Sequence, residues 1–162
     1  MKKSTVILFA VICLLAVIGM IVALILTDST PKRQEFVPPE FESAAEVGAP
    51  DVSDASFTKI AADGMTFSAH VCGRVVIDGE GADVYFTNDE GNDVWLKLRV
   101  LDERGNLLAE TGLLKPNEFV RTIRFTTVPQ DGAVVRLKIM AYEPDAYYSA
   151  GAVTLNTTTF VK

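Results

Sequence analysis

The feature that most constrains this chain is the uncharged run from Val6 to Leu26. As a helix rising about 1.5 Å per residue, this run would be roughly 30 Å long, which matches the hydrocarbon core of a bilayer. A helix also pairs its backbone N–H groups internally, as lipid requires. The sequence therefore predicts a transmembrane anchor over residues 6–26, with membrane lipid as its partner, after a cytoplasmic N-terminus at residues 1–5.

The charges around this run predict its orientation. Lys2 and Lys3 precede it, and positive flanks stay in the cytoplasm, although Lys32 and Arg33 on the far side oppose this weakly. A cleaved secretory signal is the alternative, but its apolar region is usually about 7–15 residues long. Both alternatives place the rest of the chain outside, so we predict a single-pass protein of the cell membrane with an extracytoplasmic C-terminal domain.

Residues 27–55 combine prolines with acidic residues and show neither helical nor strand periodicity. Such a composition buries too little apolar surface to offset its ordering entropy. We therefore predict a disordered tether over 27–55. Within it, residues 36–41 read Phe-Val-Pro-Pro-Glu-Phe and could dock on a partner or fold back onto the chain's own domain.

From residue 56 to residue 162, short runs of β-branched and aromatic residues alternate with turn clusters, which is typical of an all-β domain. About seven strands in a domain of about 105 residues fit an immunoglobulin-like β-sandwich, with a small barrel as the alternative. The predicted strands cover 66–78, 83–88, 93–102, 106–111, 118–126, 133–142 and 151–161.

Alternation along 93–102 and 133–142 assigns one face of each strand to the core and the other to the outside. If the two strands are neighbours, their outward residues form one basic and aromatic patch, suited to an anionic wall polymer, a sugar or a partner protein. A solvated sheet face with its tryptophan covered by a loop is the alternative. The predicted patch comprises Trp95, Lys97, Arg99, Arg136, Lys138 and Tyr142.

The loop over residues 143–151 supplies a second candidate surface through Tyr147 and Tyr148. Tyrosine offers a large contact area with few torsions to freeze. In an immunoglobulin-like order, this loop and the loop at 88–93 lie at the same end and form a recognition tip. Packing of the tyrosines onto the domain's own edge is the alternative.

Strand 118–126 is less regular, because Arg121 shares a face with Phe119, Ile123 and Phe125 in a strict alternation. We expect an edge strand there, since an inward charge discourages pairing with another chain.

The inventory of reactive side chains disfavours catalysis. His70 is the only histidine, and no Gly-x-Ser-x-Gly elbow exists. His70 and Cys72 are too few for zinc, which needs three or four ligands, so we predict that both pack on a strand and that no cofactor or metal is required. The acidic loop 88–93 could hold calcium, but it lacks the EF-hand spacing and is more typical of a solvated turn.

The net charge of −6 argues against nucleic acid as a partner. Two cysteines are present, Cys13 in the predicted anchor and Cys72 in the predicted outer domain, so they cannot pair within one chain. We expect Cys72 to be a small buried residue, with an intermolecular link as the alternative.

Three runs carry a resemblance to a known family, and they lie at 84–92, 98–108 and 111–117. They resemble small single-pass proteins of Gram-positive bacteria that join an N-terminal anchor and a tether to one β-sandwich domain. The resemblance implies a fold and no particular chemistry. Asn117 departs from the family pattern, in which a glycine is common after the proline, but asparagine tolerates positive φ better than most residues.

Together these patterns predict a noncatalytic, membrane-anchored, extracytoplasmic binding or scaffold module for an envelope protein or a cell-wall component. The alternative is a structural subunit of a membrane secretion or conjugation complex. An enzyme that uses His70 is a distant third hypothesis.

Overall fold

The structure, a computed structural model, describes residues 3–27, 36–52 and 67–162. The chain divides into two compact units, Met1–Val37 and Pro38–Lys162. The first contains one helix, and the second contains all the strands of the described residues.

Helix α1 spans Lys3–Thr27. Its described side chains are those of Ile7, Phe9 and residues 11–22, and the large apolar ones among them are all exposed. Across the described part of the chain, no helix combines the length and the hydropathy that a membrane span requires. The anchor over residues 6–26 therefore stays a prediction.

The second unit is all-β, as predicted. Its strands, in chain order, are β1 (Glu46–Val47), β2 (Ala69–His70), β3 (Val75–Asp78), β4 (Gly81–Asn88), β5 (Trp95–Leu101), β6 (Leu107–Glu110), β7 (Glu118–Arg124), β8 (Val134–Tyr142) and β9 (Ser149–Val161). The predicted strand 66–78 is divided, because residues 71–74 leave the ladder between β2 and β3.

The strands form one sheet in the order β1-β7-β4-β3-β9-β8-β5-β6, and β2 pairs with β4 outside this path. Strand β9 joins the two halves of the sheet. Its residues from Ser149 to Thr158 pair antiparallel with β8, and those from Thr159 to Val161 pair parallel with β3. The sheet curls into a half-barrel, so that Thr126, just beyond β7, donates its N–H to the Leu108 carbonyl on β6, 2.9 Å away.

The hydrophobic core lies between the two halves of the curled sheet. The inward residues predicted on β5 and β8 are buried, as the alternation requires. They meet buried residues of β3 and β4 in one cluster. The most deeply buried side chains of the cluster include Leu96, Leu98, Val100, Leu137 and Ile139 from one half and Val75, Ile77, Val84 and Phe86 from the other.

Residues 40–48 correct the predicted tether. The Leu113 N–H donates to the Glu40 carbonyl and the Glu42 N–H donates to the Leu113 carbonyl, each at 2.9 Å, and β1 pairs with β7. We call residues 40–48 the strap. The tether prediction over 27–55 is wrong for the strap, because its backbone finds partners on the domain, while residues 28–35 and 53–55 lie outside the described residues.

Strand β7 also differs from its prediction. It lies between β4 and β1, and Arg121 is exposed while Val120 and Ile123 are buried. The register shifts between Asp83 and Phe86 on β4, so that two residues of β4 oppose one residue of β7. This β-bulge turns Arg121 outward, and the inward charge expected from strict alternation does not occur.

Candidate functional site

The six residues of the predicted patch lie on one face of two neighbouring strands. Strands β5 and β8 pair antiparallel, and their register sets Trp95 opposite Tyr142 and Arg99 opposite Lys138. Lys97 and Arg136 occupy the remaining outward positions of the same face, opposite Met140 and Leu101. We call these six residues the basic face.

Much of the charge on the basic face is already paired. Glu110 on β6 accepts both neighbouring cations: its Oε1 lies 3.1 Å from Lys97 Nζ and its Oε2 lies 2.9 Å from Arg99 Nε. Lys97 is only 8% exposed. Lys97 therefore stabilises the sheet and is poorly accessible to a ligand, because one carboxylate binds its ammonium group and the side chain is largely covered.

The two cations on β8 are more available. The guanidinium of Arg136 donates to the carbonyls of Asp102 and Glu103, which orients it without neutralising it. Lys138 is half-buried and forms no salt bridge with any residue that the structure describes. Beside them, burial raises the pKa of the Tyr142 hydroxyl, an effect that the charge of Arg99 opposes.

Strand β9 extends the basic face with polar side chains that the sequence analysis did not include. The register sets Thr154 opposite Lys138 and Asn156 opposite Arg136, and both β9 residues are exposed. The alternation of exposed positions at 152, 154, 156 and 158 is the signal that could have identified this row, once β9 was known to adjoin β8.

Trp95 lies in an aromatic cluster at one end of the basic face. Its ring meets Phe41 of the strap with centroids 4.8 Å apart and Tyr147 with centroids 5.2 Å apart, both edge to face. Lys115 Nζ lies 4.8 Å from the centre of the Phe41 ring. The indole is thus covered on two sides, as the alternative interpretation of the patch expected.

The two predicted tip tyrosines have different environments. Tyr147 packs on Trp95 and takes a left-handed backbone conformation, with φ of 55°. Tyr148 is 71% exposed. Because Trp95 follows the loop 88–93 and lies opposite Tyr142, the structure brings the two predicted tip loops to the same end of the domain.

The acidic loop 88–93 is organised by its own protein contacts. Asp89 binds His70 Nδ1 through Oδ1 at 2.6 Å and the Ser68 hydroxyl through Oδ2 at 2.6 Å. The buried amide of Asn88 donates to the carbonyls of Val94 and Leu114, each at 2.9 Å. No cluster of three or more potential metal ligands exists among the described residues.

His70 and Ser68 both bind the same carboxylate and not each other, which is not the relay that a hydroxyl nucleophile requires. Cys72 is 4% exposed, and burial raises the pKa of its thiol to about 12. A thiol with such a pKa is a poor nucleophile at neutral pH.

Comparison with known proteins adds little to this description. No protein-family model and no curated protein matches the chain. Among solved structures, the crystal structure of CopC from Methylosinus trichosporium OB3b is similar at 14% sequence identity and a TM-score of 0.36, over 57% of this chain and 94% of that chain. A likeness of this extent assigns no ligand to the chain.

Proposed function

We propose that the β domain is a noncatalytic binding module and that its basic face binds an anionic partner of the cell envelope. The observation that carries the proposal is the row formed by Arg99, Lys138 and Arg136 on adjacent strands of a protein whose net charge is −6. A local cation row on an acidic protein attracts an anion to one place and repels it elsewhere.

The neighbours of this row support a polymer ligand. Thr154 and Asn156 continue the surface from β8 onto β9 with hydrogen-bonding side chains, so the face is broad and shallow. Repeated anionic groups along a wall polymer could meet Arg136 and Lys138 in turn. An acidic surface of an envelope protein offers the same charges in a fixed pattern and is the second partner class for this face.

We also propose that residues 6–26 anchor the protein in the cell membrane with the N-terminus inside. Residues 11–22 of α1 carry exposed apolar side chains on every side of the helix, at 48–68% exposure for the large ones. A helix that is apolar all round needs an apolar environment, either lipid or protein. The anchor would hold the β domain at the outer surface of the membrane.

For the β domain itself, we propose the immunoglobulin-like sandwich. The strand order supports it, because β9 divides the sheet into one half that contains β7, β4 and β3 and another half that contains β8, β5 and β6. The parallel pairing of β3 with the end of β9 closes one side of such a sandwich.

The test of the basic face uses the full-length protein in mild detergent and a soluble polyglycerol phosphate as the anionic polymer. The double variant Arg136→Gln/Lys138→Gln should weaken binding by about tenfold or more. The wild-type affinity should also fall with added salt, because salt screens exposed charges.

A matched control is Arg121→Gln/Arg124→Gln, which removes the same charge from exposed residues of β7. An equal loss of polymer binding in both double variants would mean that only the net charge matters. It would overturn the assignment of the polymer site to the basic face. Unchanged binding in the basic-face variant would overturn it as well. Retention of an acidic envelope protein but no polymer would select the second partner class.

A structural subunit of a membrane complex remains the second function, and the exposed apolar surface of α1 favours it, since neighbouring helices can cover such a surface as well as lipid. Replacing residues 6–26 with an unrelated anchor distinguishes the two functions. A binding module keeps its ligand after the exchange, whereas a complex subunit loses its assembly.

A further inference from the structure

A second candidate site lies on the other half of the sheet, away from the basic face. It is a cavity of about 490 Å³, a volume within the range of small-molecule sites. Residues of β3 and β4 form most of its wall, and Thr122 of β7, the ladder partner of Asp83, adjoins them. The charged residues of the lining are Arg74, Asp78, Asp83 and Lys162.

Asp83 supplies a carboxylate to the wall of the cavity. Its Oδ1 lies 3.6 Å from Nε of the exposed Arg121, a long and solvated ion pair. Its Oδ2 accepts no hydrogen bond from the residues that the structure describes. A half-buried carboxylate with an open oxygen attracts an N–H donor, above all an ammonium group.

Arg74 supplies the opposite charge nearby. Val76 pairs with Asp83 in the antiparallel ladder of β3 and β4, and Arg74, two residues before Val76 and just outside that ladder, lines the same cavity. The guanidinium lies over the Phe160 ring, 4.6 Å from its centre, which orients it while leaving its N–H edges for a ligand.

Tyr85 forms part of the wall in a strained conformation. It occupies the β-bulge of β4 with φ of 47°, a left-handed conformation for which glycine is usual. Its ring lies 5.5 Å from the Arg121 guanidinium. The bulge thereby places the flat ring of Tyr85 beside Asp83, so that the strained backbone of Tyr85 lies at the wall of the cavity.

We propose that this cavity binds a small zwitterionic ligand of dipeptide size. The ligand ammonium meets Asp83, the carboxylate meets Arg74, and the short apolar part between them lies against Tyr85 and Val76. Both charged groups line the same cavity, whose volume of about 490 Å³ admits a ligand of this size. This site is independent of the proposed basic face, because the two share no residue.

The experiment measures binding of alanyl-alanine to the full-length protein in mild detergent by calorimetry. Two blocked probes accompany it: N-acetyl-alanyl-alanine, which lacks the ammonium, and alanyl-alanine amide, which lacks the carboxylate. We expect the affinity of each blocked probe to be lower than that of the zwitterion by a factor of about ten or more.

Two variants then assign the ends of the ligand. Asp83→Asn should abolish the preference for the free amine but keep the preference for the free carboxylate, and Arg74→Gln should do the reverse. Lys138→Gln on the basic face is the matched control and should bind like the wild type. Emission from Trp95, the single tryptophan, verifies that each variant is folded.

Equal binding of all three probes, or no binding of the zwitterion at concentrations up to roughly 10 mM, would overturn the proposal. So would the same loss of preference in both variants, because a general loss of fold or charge would then explain it. None of these outcomes bears on polymer binding by the basic face, so the two proposals fail separately.

Discussion

The ring of Phe41 meets the indole of Trp95 edge to face, with their centroids 4.8 Å apart. Phe41 belongs to the strap, and Trp95 is the first residue of β5. Their contact makes residues 40–48 part of the folded unit. It also couples the segment that follows the predicted anchor to the environment of the only tryptophan.

Gly112→Ala should release the strap. A Cβ at residue 112 would lie 2.4 Å from the backbone nitrogen of Glu42 and 2.7 Å from the carbonyl carbon of Phe41, distances that backbone atoms cannot accept. We expect red-shifted Trp95 emission and faster proteolysis between residues 36 and 48. Gly91→Ala, whose Cβ would meet nothing within 4 Å, is the control and should leave both unchanged.

Glu110→Gln should destabilise the domain by about 1–3 kcal/mol, because it leaves the largely buried Lys97 ammonium without its carboxylate. The same change in a Lys97→Met background should cost about 0.5 kcal/mol or less, since the Arg99 pair is exposed. Urea unfolding of the four proteins measures the coupling. Equal costs in both backgrounds would mean that the Lys97 pair contributes nothing.

Asn88→Ala should cost about 2–4 kcal/mol of unfolding free energy. The side chain is fully buried, and its loss leaves the Val94 carbonyl without its donor and the Leu114 carbonyl with only the Leu96 N–H. Asn106→Ala, in the exposed turn after β5, removes a hydrogen bond to Asp102 and should cost about 1 kcal/mol or less. Similar values for both variants would contradict the buried network as the source of stability.

Cys72 should make the stability fall at alkaline pH. Burial raises its pKa to about 12 in the fold, so above about pH 9 the unfolded chain loses a proton that the folded chain keeps. Stability is therefore full below pH 9 and declines up to about pH 12, by at most about 1.4 kcal/mol per pH unit. The unfolding free energy is measured against pH for the wild type and for Cys72→Ala, and the difference between the two profiles isolates the contribution of Cys72. Parallel profiles would contradict the raised pKa of this thiol.

The strands and their faces could be predicted because alternation is local. Strands β5 and β8 bury the residues that a period of two assigns to the core, and their pairing brings the six residues of the basic face together. Turn chemistry was equally local: Asn117 takes φ of 64°, as its tolerance for positive φ suggested.

Features that depend on distant partners could not be predicted. The strap pairs through the backbone of Leu113 and the edge of β7, and backbone groups leave no pattern in the sequence. Glu110 neutralises Lys97 only because β6 lies beside β5. The bulge at Tyr85 shifts the register, and no glycine marks its position in the sequence. For this reason the face of Arg121 was predicted incorrectly.

Strand β9 has a consequence for how the domain is made. It is the last strand in the chain, yet it lies between β3 and β8 in the middle of the sheet. Until residues 149–161 leave the ribosome, β3 and β8 each lack a neighbour and the two halves of the core cannot close. Pairing of Val75 with Thr159 joins distant parts of the chain, so closure should be slow, and the newly made domain would need protection from aggregation during that interval.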